Sequence, residues 1–223
     1  MPFGLKGAPT TFQRLMDSVL LGIQGIRCFV YMDDLVGYAT RLQEHINKPQ
    51  EIFQRLRDHN IKLQPGKCNF LRKEVCYLGH LITDSGIKPN PENVKAVLDF
   101  STPAKVKHVR PFLGLVEYYK RFIPNFSKIA ASLNNLLKKN TEFKWSYNCE
   151  NSFQVLKKII TQPPILQYPN FSEPFILTTD ASTNALGAVL SQGNIGHDLP
   201  IAFASRTLNK AETNYSTTER ELH

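Results

Sequence analysis

Two aspartates stand back to back at Asp33-Asp34, between Cys28 to Tyr31 on one side and Leu35 and Val36 on the other. Two short apolar runs around an acidic pair predict a β-hairpin with the acids at or near its turn. Two carboxylates held there can bind Mg²⁺, a hard cation that prefers oxygen ligands. Phosphoryl transfer to a 3′-hydroxyl uses two such ions, one at the attacking oxygen and one at the leaving group. Asp is also a common turn residue, so the pair alone fits a plain turn as well.

The surrounding pattern mixes helix and strand. Phe12, Leu15, Met16, Val19 and Leu20 follow helical spacing, and Gly22 and Gly25 mark the end of that helix. A second helix is predicted between Leu42 and His59, with Ile52, Phe53 and Leu56 on its apolar face, and a β region over Lys62 to Thr83. The centre reads as helical. Thr102 is the predicted N-cap and Pro103 the first residue of a helix carrying Val106, Val109, Leu113 and Val116. Helices around Ile129–Leu137 and Cys149–Ile160 follow, until Pro163-Pro164. After a junction over Asn170 to Pro174, Phe175–Thr179, Leu186–Leu190 and Ile201–Ala204 read as three strands, with a new helix near Ser216. The fold class is α/β (α+β).

Composition is that of an ordinary folded chain, 42% apolar and 21% charged. No run has the length of a membrane span, and the N-terminal residues lack a signal-peptide layout. Cys28, Cys68, Cys76 and Cys149 form no CxxC and read as reduced thiols of an intracellular protein. Cys68, Cys76 and His80 have the wrong spacing for zinc. The charge is concentrated. Between Ala104 and Lys158 eleven Lys or Arg face three acids, which accounts for the whole net charge of +8. A surface that meets phosphates has this distribution, and so does a solubilising face.

Ordered motifs decide between these readings. Met1-Pro-Phe-Gly-Leu-Lys-Gly-Ala-Pro-Thr-Thr-Phe-Gln-Arg-Leu-Met16 and Phe29-Val-Tyr-Met-Asp-Asp34 resemble consecutive motifs of reverse transcriptases from gypsy-type LTR retrotransposons. Leu63-Gln-Pro-Gly-Lys-Cys-Asn-Phe70, Tyr77-Leu-Gly-His80, Pro111-Phe-Leu-Gly-Leu-Val-Glu-Tyr-Tyr-Lys-Arg-Phe-Ile123 and Thr179-Asp-Ala-Ser182 continue the resemblance in order. It implies a polymerase palm (its C-terminal part) over 1–86, a thumb and connection over 87–168, and the N-terminal part of an RNase H-like domain over 169–223.

The resemblance also implies roles. Asp33 and Asp34 would be metal-site carboxylates of the polymerase, Asp33 the more direct ligand, with Phe3 and Gly4 lining the pocket of the incoming nucleotide. Lys6, Pro9 and Gln13 would position the helix behind the template, and Leu78 and Gly79 would grip the primer end. For Phe3 and Leu78 plain core packing is the alternative. Lys105, Lys107, Arg110, Lys120 and Arg121 would meet backbone phosphates. Tyr118, Tyr119 and Phe122 among them, at helical spacing, read as core.

In an RNase H-like domain Asp180 would be a metal ligand on the first strand, and the helix after the third strand would bring a second carboxylate. Glu219 and Glu221 are two apart and cannot both face one metal. Ser216-Thr-Thr-Glu219 reads as a capping box, which leaves Glu221 for metal; the register Thr218 to Glu221 would reverse the two.

The implied function is RNA-directed DNA synthesis with RNase H action, using Mg²⁺ (or Mn²⁺) at two sites. The implied partners are RNA, DNA, their hybrid and deoxynucleoside triphosphates, with protease and integrase elsewhere in the polyprotein and no membrane. The parent element would work in the cytoplasm, in a virus-like particle. The resemblance implies a piece that starts after the first polymerase Asp and stops before the later RNase H carboxylates, inactive by itself. Met32 departs from the gypsy-type pattern towards the retroviral one. Pro49 and Pro111 interrupt predicted helices, Pro49 with a restart expected after Asn47 and Pro111 with no such relief. Both fit the alternative, a non-catalytic nucleic-acid-binding remnant of a decayed element.

Overall fold

Met16 and Val19 of α1 (Ala8–Val19), with Leu20 at its C-cap, recur at helical spacing and lie together on one buried stripe. That stripe starts the first of two compact units, Met1–Leu78 and Gly79–His223, in a computed structural model that describes residues 4–221. Phe3 lies outside the described residues.

In the first unit, β1 (Cys28–Tyr31) and β2 (Asp34–Gly37) form the expected antiparallel hairpin, with Tyr31 paired to Asp34. Cys28 and Val30 turn inward and Phe29 and Tyr31 outward, the period of two of a half-buried strand. The inward residues meet Ile52 and Leu56 of α2 (Leu42–Asp58). The Arg55 guanidinium donates to the carbonyls of Val19 at 3.4 Å and Leu21 at 2.6 Å, satisfying acceptors that the end of α1 leaves open.

Two expectations need correction. Helix α2 does not restart after Asn47 but runs unbroken through Pro49. The missing N–H leaves one carbonyl without its helical partner, and burial of Ile52 and Leu56 holds the helix regardless. Of the β region predicted in this unit, only β3 (Val75–Tyr77) is strand; Pro65–Lys67 is a single 3-10 turn in an irregular, exposed stretch.

The second unit opens with an antiparallel hairpin of β4 (His80–Thr83) and β5 (Gly86–Pro89), followed by α3 (Pro91–Leu98). The Asn90 side chain caps α3 by accepting from the Glu92 N–H at 2.8 Å, and Pro91 fills the first turn, where no N–H is needed. Helix α4 is Val106–Tyr118, so Thr102 and Pro103 do not start it. Residues 99–105 are spent connecting α3 to α4, and Pro103 is buried there. Pro111 lies inside α4 on its exposed side, and the helix continues through it because Val109, Phe112, Leu113 and Val116 are buried.

Two short helices, α5 (Phe126–Ile129) and α6 (Ala131–Asn135), lead to α7 (Tyr147–Thr161), capped by Ser146. Phe112 of α4 packs on Phe153 of α7 with ring centroids 4.5 Å apart. Tyr119 and Phe122 join this core as expected, whereas Tyr118 is 52% exposed. Tyr118 stands on the outer side of the chain at the end of α4, with its ring against Gly79.

Beyond α7 the chain crosses the unit as a strap. Ile87 and Leu166 exchange backbone hydrogen bonds of 2.9 and 3.1 Å, the Gln167 N–H donates to the Pro200 carbonyl at 2.8 Å, and the Tyr168 hydroxyl donates to the Thr83 carbonyl at 2.8 Å. Gly86 permits this. Its φ is +136°, and a Cβ there would come within 2.3 Å of the Leu166 oxygen. The last sheet is antiparallel in the order β6 (Ile176–Ala181), β7 (Ala185–Gln192), β8 (Leu199–Thr207), and α8 (Thr217–Glu221) follows. The mixed helix-and-sheet class expected from the sequence is the one observed.

Candidate functional site

The acidic hairpin of the first unit is braced from behind. The β1–β2 turn forces Met32 to φ +50°, a conformation that non-glycine residues adopt only when held. Gln13 of α1 supplies the hold: its Oε1 accepts the Met32 N–H at 2.6 Å, and its Nε2 donates to the Val30 carbonyl at 3.4 Å and to Asp17 at 2.8 Å. The turn thereby projects Asp33 and Asp34 outward, both exposed and adjacent, with no lysine or arginine in ion-pair contact among the described residues. Tyr77 lies near enough to feel Asp34. Burial first, and then the Asp34 carboxylate, push its phenol above the usual value.

Gly4, Lys6 and Pro9 are exposed at the start of α1, and Lys6 precedes the helix proper. Leu78 and Gly79 have successive positive φ values of 45° and 69°, as the two central residues of a type I′ turn do. Leu78 is 36% exposed and does not serve as core. Lys105, Lys107, Arg110, Lys120 and Arg121 are all exposed; Lys120 has only a loose 3.9 Å contact with Glu117.

The second carboxylate pair lines one cavity beside the last sheet. Asp180 of β6 and Glu221 of α8 line one cavity of about 480 Å³, together with Arg206 and Arg220. Glu219 is not among its lining residues, and its carboxylate accepts from the Ser216 N–H at 2.7 Å and Ser216 hydroxyl at 2.8 Å, while the Glu219 N–H donates back to Ser216 Oγ at 3.3 Å. This reciprocal capping box holds the Glu219 carboxyl below its usual value of 4.5 and follows the Ser216 register. Upstream, Arg206 grips the buried Glu212 through two hydrogen bonds of 2.6 and 2.9 Å, fixing the turn from which α8 departs.

Sequence reasoning missed the other neighbours of Asp180. Asn125 and Lys128, from the segment around α5, line a second, water-sized recess of about 20 Å³ with Asp180. Nothing in the local sequence signals this, because the approach is set by tertiary docking on β7 and β8. Both carboxylate pairs offer only oxygen donors, the chemistry that suits Mg²⁺. Among the described residues no cluster of three or more His, Cys, Asp or Glu forms.

The chain carries a reverse transcriptase region followed by an RNase H-like domain. Residues 1–82 match the family described as reverse transcriptase (RNA-dependent DNA polymerase), and residues 145–223 match the RNase H-like domain found in reverse transcriptase. The chain belongs to the retrovirus-like Pol polyproteins of LTR retrotransposons. It is 51% identical, over its whole length, to the retrovirus-related Pol polyprotein from transposon 297 of Drosophila melanogaster, of which it covers 21%. It is 43% identical to that of transposon 412, covering 18%, and 38% identical to that of transposon gypsy, covering 22%, both from the same fly. The chain thus spans about a fifth of the curated relatives it matches.

Among solved structures, a foamy viral protease–reverse transcriptase dRH in complex with double-stranded DNA matches 98% of this chain and 38% of its own, with a TM-score of 0.87 and 24% identity. The foamy viral protease–reverse transcriptase in complex with RNA/DNA hybrid matches 100% of this chain and 30% of its own, with a TM-score of 0.84 and 24% identity. These likenesses concern the fold. Among the described residues no helix is long and apolar enough to cross a membrane.

Proposed function

We propose that this chain is the palm-to-RNase H part of an RNA-directed DNA polymerase that copies RNA into DNA and cuts the RNA strand of the resulting hybrid. The observation that carries the reading is the convergence of Asp180 and Glu221, from a strand and a distant helix, on one cavity. Residues 1–86 act as the C-terminal part of the palm, 87–168 as thumb and connection, and 169–223 as the start of the RNase H-like domain.

Asp33 and Asp34 would hold Mg²⁺ (or Mn²⁺) in the polymerase site, and Asp180 and Glu221 would hold it in the RNase H site. A metal held there would supply Lewis-acid stabilisation of charge on phosphoryl oxygens. The chain's own residues do the rest. Gln13 holds the turn that aims Asp33 and Asp34, and the Glu219 box orients α8 so that Glu221 reaches the cavity. Phe3 and Gly4 are assigned to the pocket of the incoming deoxynucleoside triphosphate, Lys6, Pro9 and Gln13 to positioning the template-side helix, and Leu78 and Gly79 to gripping the primer end. Lys105, Lys107, Arg110, Lys120 and Arg121 track phosphates of the duplex. RNA, DNA and their hybrid are the partners, with protease and integrase segments in the same polyprotein, and the parent element works in a cytoplasmic virus-like particle.

The alternative is a non-catalytic nucleic-acid-binding remnant; Pro49 and Pro111, which fit it, lie inside helices that continue through them. The test is primer extension and hybrid degradation with Mg²⁺, in the polyprotein product that carries these residues and in the 223 residues alone. The longer protein should be active, losing DNA synthesis with Asp33→Asn and hybrid degradation with Asp180→Asn. The 223 residues alone should be inactive, because each site then holds two carboxylates. Activity that survives both substitutions would overturn the assignment.

A further inference from the structure

The recess beside Asp180 has an acid and a base on its walls that do not pair with each other. Its geometry begins with one rung of the last sheet. Asp180 of β6 is directly opposite Gly187 of β7, and Gly187 is opposite Ser205 of β8, so all three belong to one face. The segment Asn125 to Lys128 lies over that rung. The Ser127 N–H donates to Ser205 Oγ at 2.9 Å, and the two serine hydroxyls are 3.1 Å apart. Asn125, at φ +52°, places its side-chain oxygen where residue 187 has no Cβ; an added Cβ would lie 2.4 Å from it. Glycine at 187 is what lets the segment come this close. Lys128 is thereby carried to the recess that Asp180 lines.

Lys128 is exposed and makes no ion pair among the described residues, although Asp180 shares its recess. The recess itself is only water-sized, but Asp180 and Lys128 are both exposed at its rim, so one ligand carrying both charges can meet them from outside. A metal-bound phosphodiester is such a ligand: its cation meets the carboxylate and its non-bridging oxygens meet the ammonium.

We propose that Lys128, delivered by the docking of Asn125 on Gly187, is a phosphate-contact residue of the Asp180 site and binds the backbone of the strand to be cut. This rests on the RNase H reading of Asp180. Lysine suits the task as a compact point charge on a flexible stem, which tolerates any sequence in the strand. Bound equally in the ground and transition states, the contact acts on KM rather than kcat.

The test uses the polyprotein product carrying these residues and a labelled RNA–DNA hybrid. It compares Lys128→Ala, Lys128→Arg, Gly187→Ala and, as a control for loss of one charge elsewhere in the unit, Lys210→Ala. Lys128→Ala should raise KM for the hybrid about tenfold with kcat nearly unchanged. It should also flatten the log–log salt dependence of hybrid affinity by about 0.9, one phosphate contact. Lys128→Arg should keep most of the affinity, Lys210→Ala should change neither quantity, and Gly187→Ala should reproduce the KM effect by displacing Asn125. An unchanged KM and salt slope in Lys128→Ala, beside an Asp180→Asn variant that no longer cleaves, would overturn the proposal and leave the site standing. Cleavage that persists in Asp180→Asn would overturn both.

Discussion

The side chain of Gln13 accepts the Met32 N–H at 2.6 Å and so fastens the helix α1 to the turn that presents Asp33 and Asp34. Replacing Gln13 by Leu keeps the helix but removes the acceptor, leaving a strained turn without its brace. The expected loss is about 1 kcal/mol of stability and a clear fall in DNA synthesis, with hybrid degradation at Asp180 preserved. Thermal melts and the two assays run side by side check it. Equal loss of both activities would mean that Gln13 serves general folding and not the hairpin.

Duplex affinity should depend steeply on salt. Lys105, Lys107, Arg110, Lys120 and Arg121 are exposed, and the segment around them holds the entire net charge. Each phosphate neutralised should add about −0.9 to the slope of log affinity against log salt on a duplex. Removing Lys105, Lys107 and Arg110 together should flatten that slope without creating a sequence preference. An affinity indifferent to salt would identify the basic surface as a solubilising one.

Pro111 should be a net liability to the fold. It sits inside α4 on the exposed side and costs the helix one backbone hydrogen bond. Pro111→Ala should stabilise the protein by about 1–3 kcal/mol, seen as a higher melting temperature. A lower one would show that the proline's bend is used in packing.

The Glu219 cap fixes a pH dependence. Its carboxyl lies below 4.5 in the folded chain, so it stabilises α8 when ionised, above the unfolded value, and that stability is lost as pH falls through the lowered folded value. Helical signal from α8 should therefore fade only in acid, and Glu219→Gln should remove most of that dependence. An NMR titration of Glu219 with a midpoint at or above 4.5 would contradict the cap.

The strongly periodic stretches were legible in the sequence. The helices α1, α2 and α7, the hairpin around Asp33 and Asp34, and the last three strands stand where the apolar spacing puts them, because each pattern is written in residues close in sequence. The capping box at Ser216 was legible for the same reason, being wholly local. The strand β5 and helix α3 were not anticipated, although Asn90-Pro91 is a helix-start signal. The start of α4 was misplaced because Thr102-Pro103 imitates such a signal while the chain is still connecting two helices. Tyr118 is exposed while its neighbour Tyr119 is buried, since the helix ends between them. The closeness of Asn125 and Lys128 to Asp180 has no local trace at all; only the docked sheet brings them together.

The strap at residues 166–168 ties the β4–β5 hairpin to β8 through Leu166, Gln167 and Tyr168 in succession. The hairpin is bonded to Leu166 and Tyr168 and β8 to Gln167 between them, so either partner opening pulls on the same short segment. Amide exchange in the hairpin and in β8 should therefore proceed as one cooperative event, and a protease that nicks the chain beside Pro163-Pro164 should loosen both at once.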